Sequence, residues 1–197
     1  MLAGYPRLSE YLGHLPDGLD SHPLHVAKCS LLRGVMDECP TGGDAAGLPS
    51  ALRQVIAAPP PPSAWIPEAH LVAAHFAIMD MHGLDVEDML ERTYRANRKL
   101  TESRMYRALA KVASPTIILK GARMSWGFIH KGVQLRADFG ERSARITLRH
   151  PPHLYPRLAH RSAALGFRAV LEACHGENPS AVLVSSSPEE ARVELEW

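Results

Sequence analysis

The hydrophobic period of this chain first changes at Gly132, and that change constrains the fold more than any other feature. Up to that point apolar residues recur every three to four positions. Beyond it, "VQLRADFG" and "RSARITLRH" alternate apolar with polar around a glycine-containing turn, the pattern of a β-hairpin. "PRLAHRSAALGFRAVLEACHG" returns to helical spacing, with Leu158, Ala164, Leu165, Phe167 and Leu171 on its buried face. "SAVLVSSS" and "ARVELEW" then read as two more alternating strands. Helices in a run, followed by β-β-α-β-β, predict an α+β fold rather than a parallel doubly wound sheet. The expected organisation is a single α+β domain over 1–197, mainly helical over 1–131, with a sheet and one long helix over 132–197.

In the helical half, residues 6–14 form a short helix stopped by a turn at Pro16 and Gly18, and the apolar spacing predicts an amphipathic helix over 24–37. "SALRQVIAA" is a short helix, and "PPPPSAWIP" is a stiff polyproline spacer. The helix expected over 67–82 has Pro67 at its first position, Glu68 beside it and Gly83 to stop it. It is apolar around most of its circumference, which places it at the centre of a bundle. A single domain of this size has limited surface with which to cover it, so a homodimer through the helical half is expected. Asp85 caps the next helix, Thr101 caps a further one over 102–113, and Ser114 with Pro115 starts a helical stretch running to about residue 130.

A formal charge of +1 gives no global steering toward nucleic acid or anionic membrane. The basic run from Arg92 to Lys111 interleaves with Asp85, Glu87, Asp88, Glu91 and Glu102, as a solvated helix face does. Cys29, Cys39 and Cys174 lack paired spacing, so no disulfide framework is expected, and the N-terminus has no signal-peptide pattern. No apolar run is long enough to span a membrane, and the expected compartment is the cytoplasm.

The densest cluster of chemical side chains is "RHPPHLYPRLAH", which carries His150, His153 and His160. Its prolines end a strand and its spacing offers no zinc set, so it reads as a structural joint with no metal. The common hydrolase, phosphate-loop and dinucleotide motifs are absent. "SSS" at 185–187 lies in a hairpin loop without a base, so no serine there reads as a nucleophile. Two readings follow. The first is a non-enzymatic regulatory, sensory or adaptor module that holds an apolar small molecule or a protein partner between the helical layer and the sheet. Its candidate ligand-binding residues are Trp65, His70, Tyr94, Arg98, Trp126 and His130, amphipathic aromatics and polar groups on otherwise apolar faces. Trp126, in "MSWGFIH", is expected to be a buried aromatic. The second reading is an enzyme with a His/Arg acid–base site between the helices, in which His130 or His153 titrates. Neither reading fixes a cofactor.

The segments "YPRLSEYLGHLPDGLDSHPLHVAKCSLLRGV", "PPPPSAWIPEAH", "YRANRKLTESRMYRALAKVASP", "MSWGFIHKG" and "RHPPHLYPRLAHRSAALGFRAVLEA", with "ARVELEW" at the close, together resemble a large paralogous family of uncharacterised myxobacterial proteins. More remotely, helices followed by β-β-α-β-β is similar to the ligand-binding fold of haem nitric-oxide sensors, vinyl-reductase-type sensor domains and Golgi-tethering subunits. That likeness implies binding, sensing or assembly. The Y-x-S-x-R of haem sensors is absent, so the resemblance does not extend to haem.

Overall fold

The alternation that follows Gly132 forms a four-stranded antiparallel sheet in a computed structural model that describes residues 2–39, 45–102, 114–174 and 178–197. In chain order the elements are α1 (Pro6–His14), β1 (Val26–Lys28), α2 (Cys29–Glu38), α3 (Ser50–Ala57), β2 (Trp65–Pro67), α4 (Glu68–His82), α5 (Val86–Thr101), α6 (Pro115–Ser125), β3 (His130–Lys131), β4 (Gln134–Phe139), β5 (Ser143–Arg149), α7 (Arg157–Ala173), β6 (Ser180–Ser186) and β7 (Glu190–Glu196). The architecture is α+β, as the sequence predicts.

The large sheet has the order β4-β5-β7-β6. Its register pairs Ala144 with Leu195, Ile146 with Val193 and Leu148 with Ala191, so one face is a continuous apolar surface. On the opposite face Arg145 meets Glu194 at 2.9 Å and Arg149 meets Glu190 at 2.7 Å. Ala164, Phe167 and Leu171 of α7 cover the apolar face. The other side of α7 packs on α5: Leu158 joins Met89 and Leu90, and Arg161 clamps Glu87 with two bonds at 2.7 and 2.8 Å.

The apolar circumference of α4 is covered within the chain. Leu71, Val72, Ala73, Ala74 and Ala77 pack with Leu8 and Tyr11 of α1, Leu32 of α2, and Leu52 and Ile56 of α3, while Ile78 and Met79 pack with Met89 and Leu90. Each fully buried Leu or Ile contributes roughly 2–3 kcal/mol. The premise for a dimer through this helix, an uncovered apolar surface, therefore falls away. Asp80 ties α4 to α1, its carboxylate accepting from the Leu8 amide at 3.1 Å and from Arg7 at 3.2 Å.

Four sequence expectations need correction. Val26–Lys28 leave the helix predicted over 24–37 and pair with Trp65–Pro67 on one side and His130–Lys131 on the other, giving a small antiparallel sheet of order β2-β1-β3. Pro67 is accordingly the cap of α4 and the last residue of a strand. The stretch from 115 is α-helical only to Ser125 and then turns into the small sheet. Thr101 ends α5, its hydroxyl donating to the Arg98 carbonyl at 2.9 Å, and the helix expected after it lies outside the described residues. Gly132 carries the crossing from small to large sheet at φ +91°, and a Cβ there would sit 2.5 Å from the His25 ring, so the position admits only glycine.

The Asp85 cap forms as predicted, with a full box: its carboxylate accepts from the Asp88 amide at 2.8 Å, and that of Asp88 accepts from the Asp85 amide at 3.2 Å. Asp85→Ala removes the side-chain acceptor of the Asp88 amide at the start of the helix that supports α7, and leaves the Asp85 amide still able to donate to the Asp88 carboxylate. A loss of about 1 kcal/mol is expected in urea denaturation, with the m-value unchanged.

Candidate functional site

The joint between β5 and α7, residues 150–156, is where buried polar side chains converge. Pro151 and Pro152 have no amide to give, and the amides on either side of them are satisfied by the β6–β7 turn. His150 N–H donates to the Glu189 carbonyl at 3.1 Å, and His153 N–H donates to the Pro188 carbonyl at 2.8 Å. His153 adopts φ +61° to make that bond and stays exposed, its ring stacked on His14 at 5.5 Å.

Two polar chains leave this joint. The first centres on Glu68, fully buried in the first turn of α4. The Tyr155 hydroxyl donates to its Oε2 at 2.8 Å, and His130 Nδ1 lies 2.6 Å from its Oε1 and 3.2 Å from the Tyr155 oxygen. Burial, then the negative charge of Glu68, pushes the Tyr155 phenol well above its ordinary value, so it serves as a fixed hydrogen-bond donor. The second chain runs through imidazoles. His150 Nδ1 lies 2.9 Å from the Pro151 carbonyl, His150 Nε2 lies 2.8 Å from His160 Nε2, and His160 Nδ1 lies 2.8 Å from Ser186 Oγ.

A carbonyl only accepts, so His150 must carry its proton on Nδ1 and present Nε2 as an acceptor. His160 then donates from Nε2, which leaves its Nδ1 as the acceptor for the Ser186 hydroxyl. Every polar atom is satisfied in one arrangement. Both imidazoles are neutral: burial lowers His150, and burial followed by the proximity of His150 lowers His160 to about 4.

Ser186 reaches His160 because of a β-bulge. The register passes from Leu183 opposite Val193 to Ser185 opposite Arg192, skipping Val184. Strict alternation would put Ser185 on the inner face. The extra residue instead turns Ser185 outward with Arg192 and brings Ser186, opposite Ala191, to the inner face where α7 begins. The sequence reading that no serine here meets a base is thus overturned for Ser186. Ser187 is taken up by the turn, its oxygen accepting from the Glu190 amide at 3.0 Å.

Both chains back onto a groove of about 340 Å³, open to solvent, between α1, α4, the joint and the β6–β7 turn. Tyr11, Phe76 and Tyr155 form its aromatic part, and Arg7, Arg157 and Ser186 are among its polar lining. Tyr11 is held by its hydroxyl donating to the Leu154 carbonyl at 3.0 Å.

Of the residues singled out by sequence, the structure brings together Trp126 and His130. Their rings stack at 4.2 Å, and Trp126 Nε1 donates to the Val133 carbonyl at 2.9 Å. Trp126 is half-buried where a buried ring is expected, because it fills the seam between the helical core and the sheet core and packs against both. The others lie apart. Trp65 is on the outer face of the small sheet under the ammonium groups of Lys28, at 4.0 Å, and Lys131, at 4.3 Å. His70 faces the turn at 18–20, and burial lowers its titration. Tyr94 hydrogen-bonds Glu172 of α7, and Arg98 is exposed and paired with Glu102 at 3.0 Å. Glu68, Tyr155, His150, His160 and Ser186 are absent from the sequence-derived candidates. Among the described residues no three His, Cys, Asp or Glu side chains are placed to hold a metal, and no helix is long and apolar enough to cross a membrane.

No protein-family model matches the sequence, and no curated protein is similar to it. Among solved structures, the fold is similar to that of a haem protein used to study how porphyrin distortion modulates haem redox potential, with a TM-score of 0.55 and 11% identity over 86% of this chain and 99% of that one. It is similar also to an H-NOX structure probing haem distortion in that family, with a TM-score of 0.55 and 10% identity over 86% of this chain and 94% of that one. A Cs H-NOX mutant carrying 4-cyano-L-phenylalanine gives a TM-score of 0.51 and 10% identity over 86% of this chain and 95% of that one. The expected likeness to haem nitric-oxide sensors is thereby found at the level of fold. The two histidines buried behind this groove are not free to hold a haem iron: His150 and His160 spend both ring nitrogens on each other, the Pro151 carbonyl and Ser186, and His130 gives its Nδ1 to Glu68.

His160 lowered from 6.5 in the unfolded chain to about 4 in the folded one makes the unfolded state bind the extra proton between those values. Its contribution is complete above pH 6.5 and is lost as the pH falls toward 4. The loss amounts to roughly 3 kcal/mol at one pH unit per 1.36 kcal/mol. His160→Gln should be less stable at neutral pH and show a shallower decline between those pH values, measured by denaturation across the range. A parallel decline in both proteins would contradict the assignment.

Proposed function

We propose that this protein is a sensory, small-molecule-binding module, and that its ligand lies in the groove between α1, α4, the 150–156 joint and the β6–β7 turn. The observation that carries the reading is that Tyr155 and Ser186 belong both to the groove lining and to the buried polar chains. A molecule seated there meets groups wired to three parts of the fold: Glu68 at the start of α4, His130 in the small sheet, and His160 at the start of α7. Pockets of this kind are mostly apolar with a few placed polar groups, and about 340 Å³ is at the small end of their range.

The lining sets two arginines, Arg7 and Arg157, against one carboxylate, Glu10, and suits an amphipathic anion held at the Arg157 side. Tyr11 and Phe76, whose rings meet at 5.3 Å, supply the aromatic surface. Arg157 is exposed and forms no hydrogen bond or ion pair among the described residues, so its charge is available to a ligand, whereas Arg7 is shared with Asp80. The fold-level likeness to the H-NOX structures supports a binding role, with a ligand different from haem.

Anilinonaphthalene sulfonate, an aromatic anion, tests the groove. Saturable binding to the native protein is expected, weakened about fivefold by Arg157→Ala and again by Phe76→Ala, roughly 1 kcal/mol each. Equal binding by wild type and both variants would place the probe elsewhere and contradict the reading.

A further inference from the structure

The chain from Pro151 to Ser186 does more than satisfy buried atoms. We infer that Ser186 is a nucleophile for acyl transfer, with His160 as its general base and His150 as the residue that positions that base, acting on a small acyl ester bound in the groove. The inference rests on the groove being a ligand site.

Four observations carry it. The polarity of the chain has one solution, fixed by the Pro151 carbonyl, and in that solution the acceptor nitrogen of His160 points at the Ser186 hydroxyl, 2.8 Å away. The bulge at Val184 spends a residue of sheet pairing to bring Ser186, and neither Ser185 nor Ser187, to that nitrogen. Ser186 is exposed and lines the groove, while His160 is fully buried, so the nucleophile is reachable and its base is shielded from water. Arg157 lines the same groove without a partner among the described residues and is available to a developing negative charge. Nucleophile, base and orienting third group thus share the logic of a serine triad, with an imidazole in the third place.

The chemistry balances within the chain, a substrate and water. Ser186 Oγ forms a bond to the acyl carbon as its proton passes to His160 Nδ1, and the carbonyl electron pair moves onto oxygen. His160, now cationic, is held by donating from Nε2 to His150. When the tetrahedral centre collapses, the bond to the leaving oxygen breaks and that oxygen takes the proton from His160. Water then attacks the acyl carbon as His160 Nδ1 accepts one of its protons, the bond from the acyl carbon to Ser186 Oγ breaks, and Oγ takes the proton back from His160 as the carboxylic acid leaves. The groove favours an apolar acyl group on Tyr11 and Phe76 and an anionic portion toward Arg157.

The test uses the full chain with a fluorophosphonate probe and p-nitrophenyl butyrate. Intact mass followed by peptide mapping should find a single adduct on Ser186, and ester hydrolysis should exceed the rate of free imidazole. Ser186→Ala should abolish both. His160→Gln should slow labelling by at least about a hundredfold, the lower end of general base effects. His150→Gln should slow labelling and move its pH profile; a merely structural His150 would alter only the melting temperature. Absence of a Ser186 adduct on protein that still binds anilinonaphthalene sulfonate overturns the nucleophile and leaves the groove standing. Absence of both the adduct and the dye binding fails the two together. An adduct of equal yield in Ser186→Ala also overturns it.

Discussion

A carbonyl oxygen cannot donate, and the Pro151 carbonyl takes its hydrogen bond from a buried imidazole. From that one restriction follow the tautomer of His150, the donor of His160 and the free lone pair aimed at Ser186. The same joint fixes the path of the chain. Its prolines end the β5 ladder, its two flanking amides lock onto the β6–β7 turn, and Tyr155 carries the connection inward to Glu68. A buried carboxylate is costly unless hydrogen-bonded, and Glu68 is tolerated because Tyr155 and His130 meet its two oxygens. Sheet, small sheet and helical layer are therefore coupled through polar contacts at a point where apolar packing alone would leave them free to shift.

Those contacts bear on function because they border a groove. An apolar seam would transmit shape; a satisfied polar seam transmits shape and proton position together. The seam behind Tyr155 and Ser186 consists of groups held neutral or fixed as donors by burial, so a bound molecule meets a defined hydrogen-bonding surface. The solved structures with a similar fold are those of haem proteins, while the groove of this chain is lined by tyrosines, histidines, arginines, a glutamate and serines.

Much of the fold was readable from the residues. The strands after Gly132, the helix of α7 and the Asp85 cap all have local signals, a period or a cap residue, and each forms where expected. The small sheet had no such signal: strands of two and three residues are too short to show alternation, and Val26–Lys28 fit helical spacing as well as they fit a strand. The site was hidden for a different reason. Glu68 and His130 are 62 positions apart, Tyr155 and Glu68 are 87 apart, and Ser186 and His160 are 26 apart, so only the folded topology brings them together. The bulge that aims Ser186 leaves no mark in "SAVLVSSS". The clustering of histidines in "RHPPHLYPRLAH" was the one visible hint, and its nearest-neighbour spacing pointed away from the pair that meets, His150 and His160.

The central claim is the direction of the imidazole chain, and nitrogen NMR of the histidine rings measures it directly. At neutral pH the account predicts a protonated Nδ1 on His150, and on His160 a protonated Nε2 with an unprotonated Nδ1. A proton on His160 Nδ1, or a cationic ring on either residue at that pH, would contradict it.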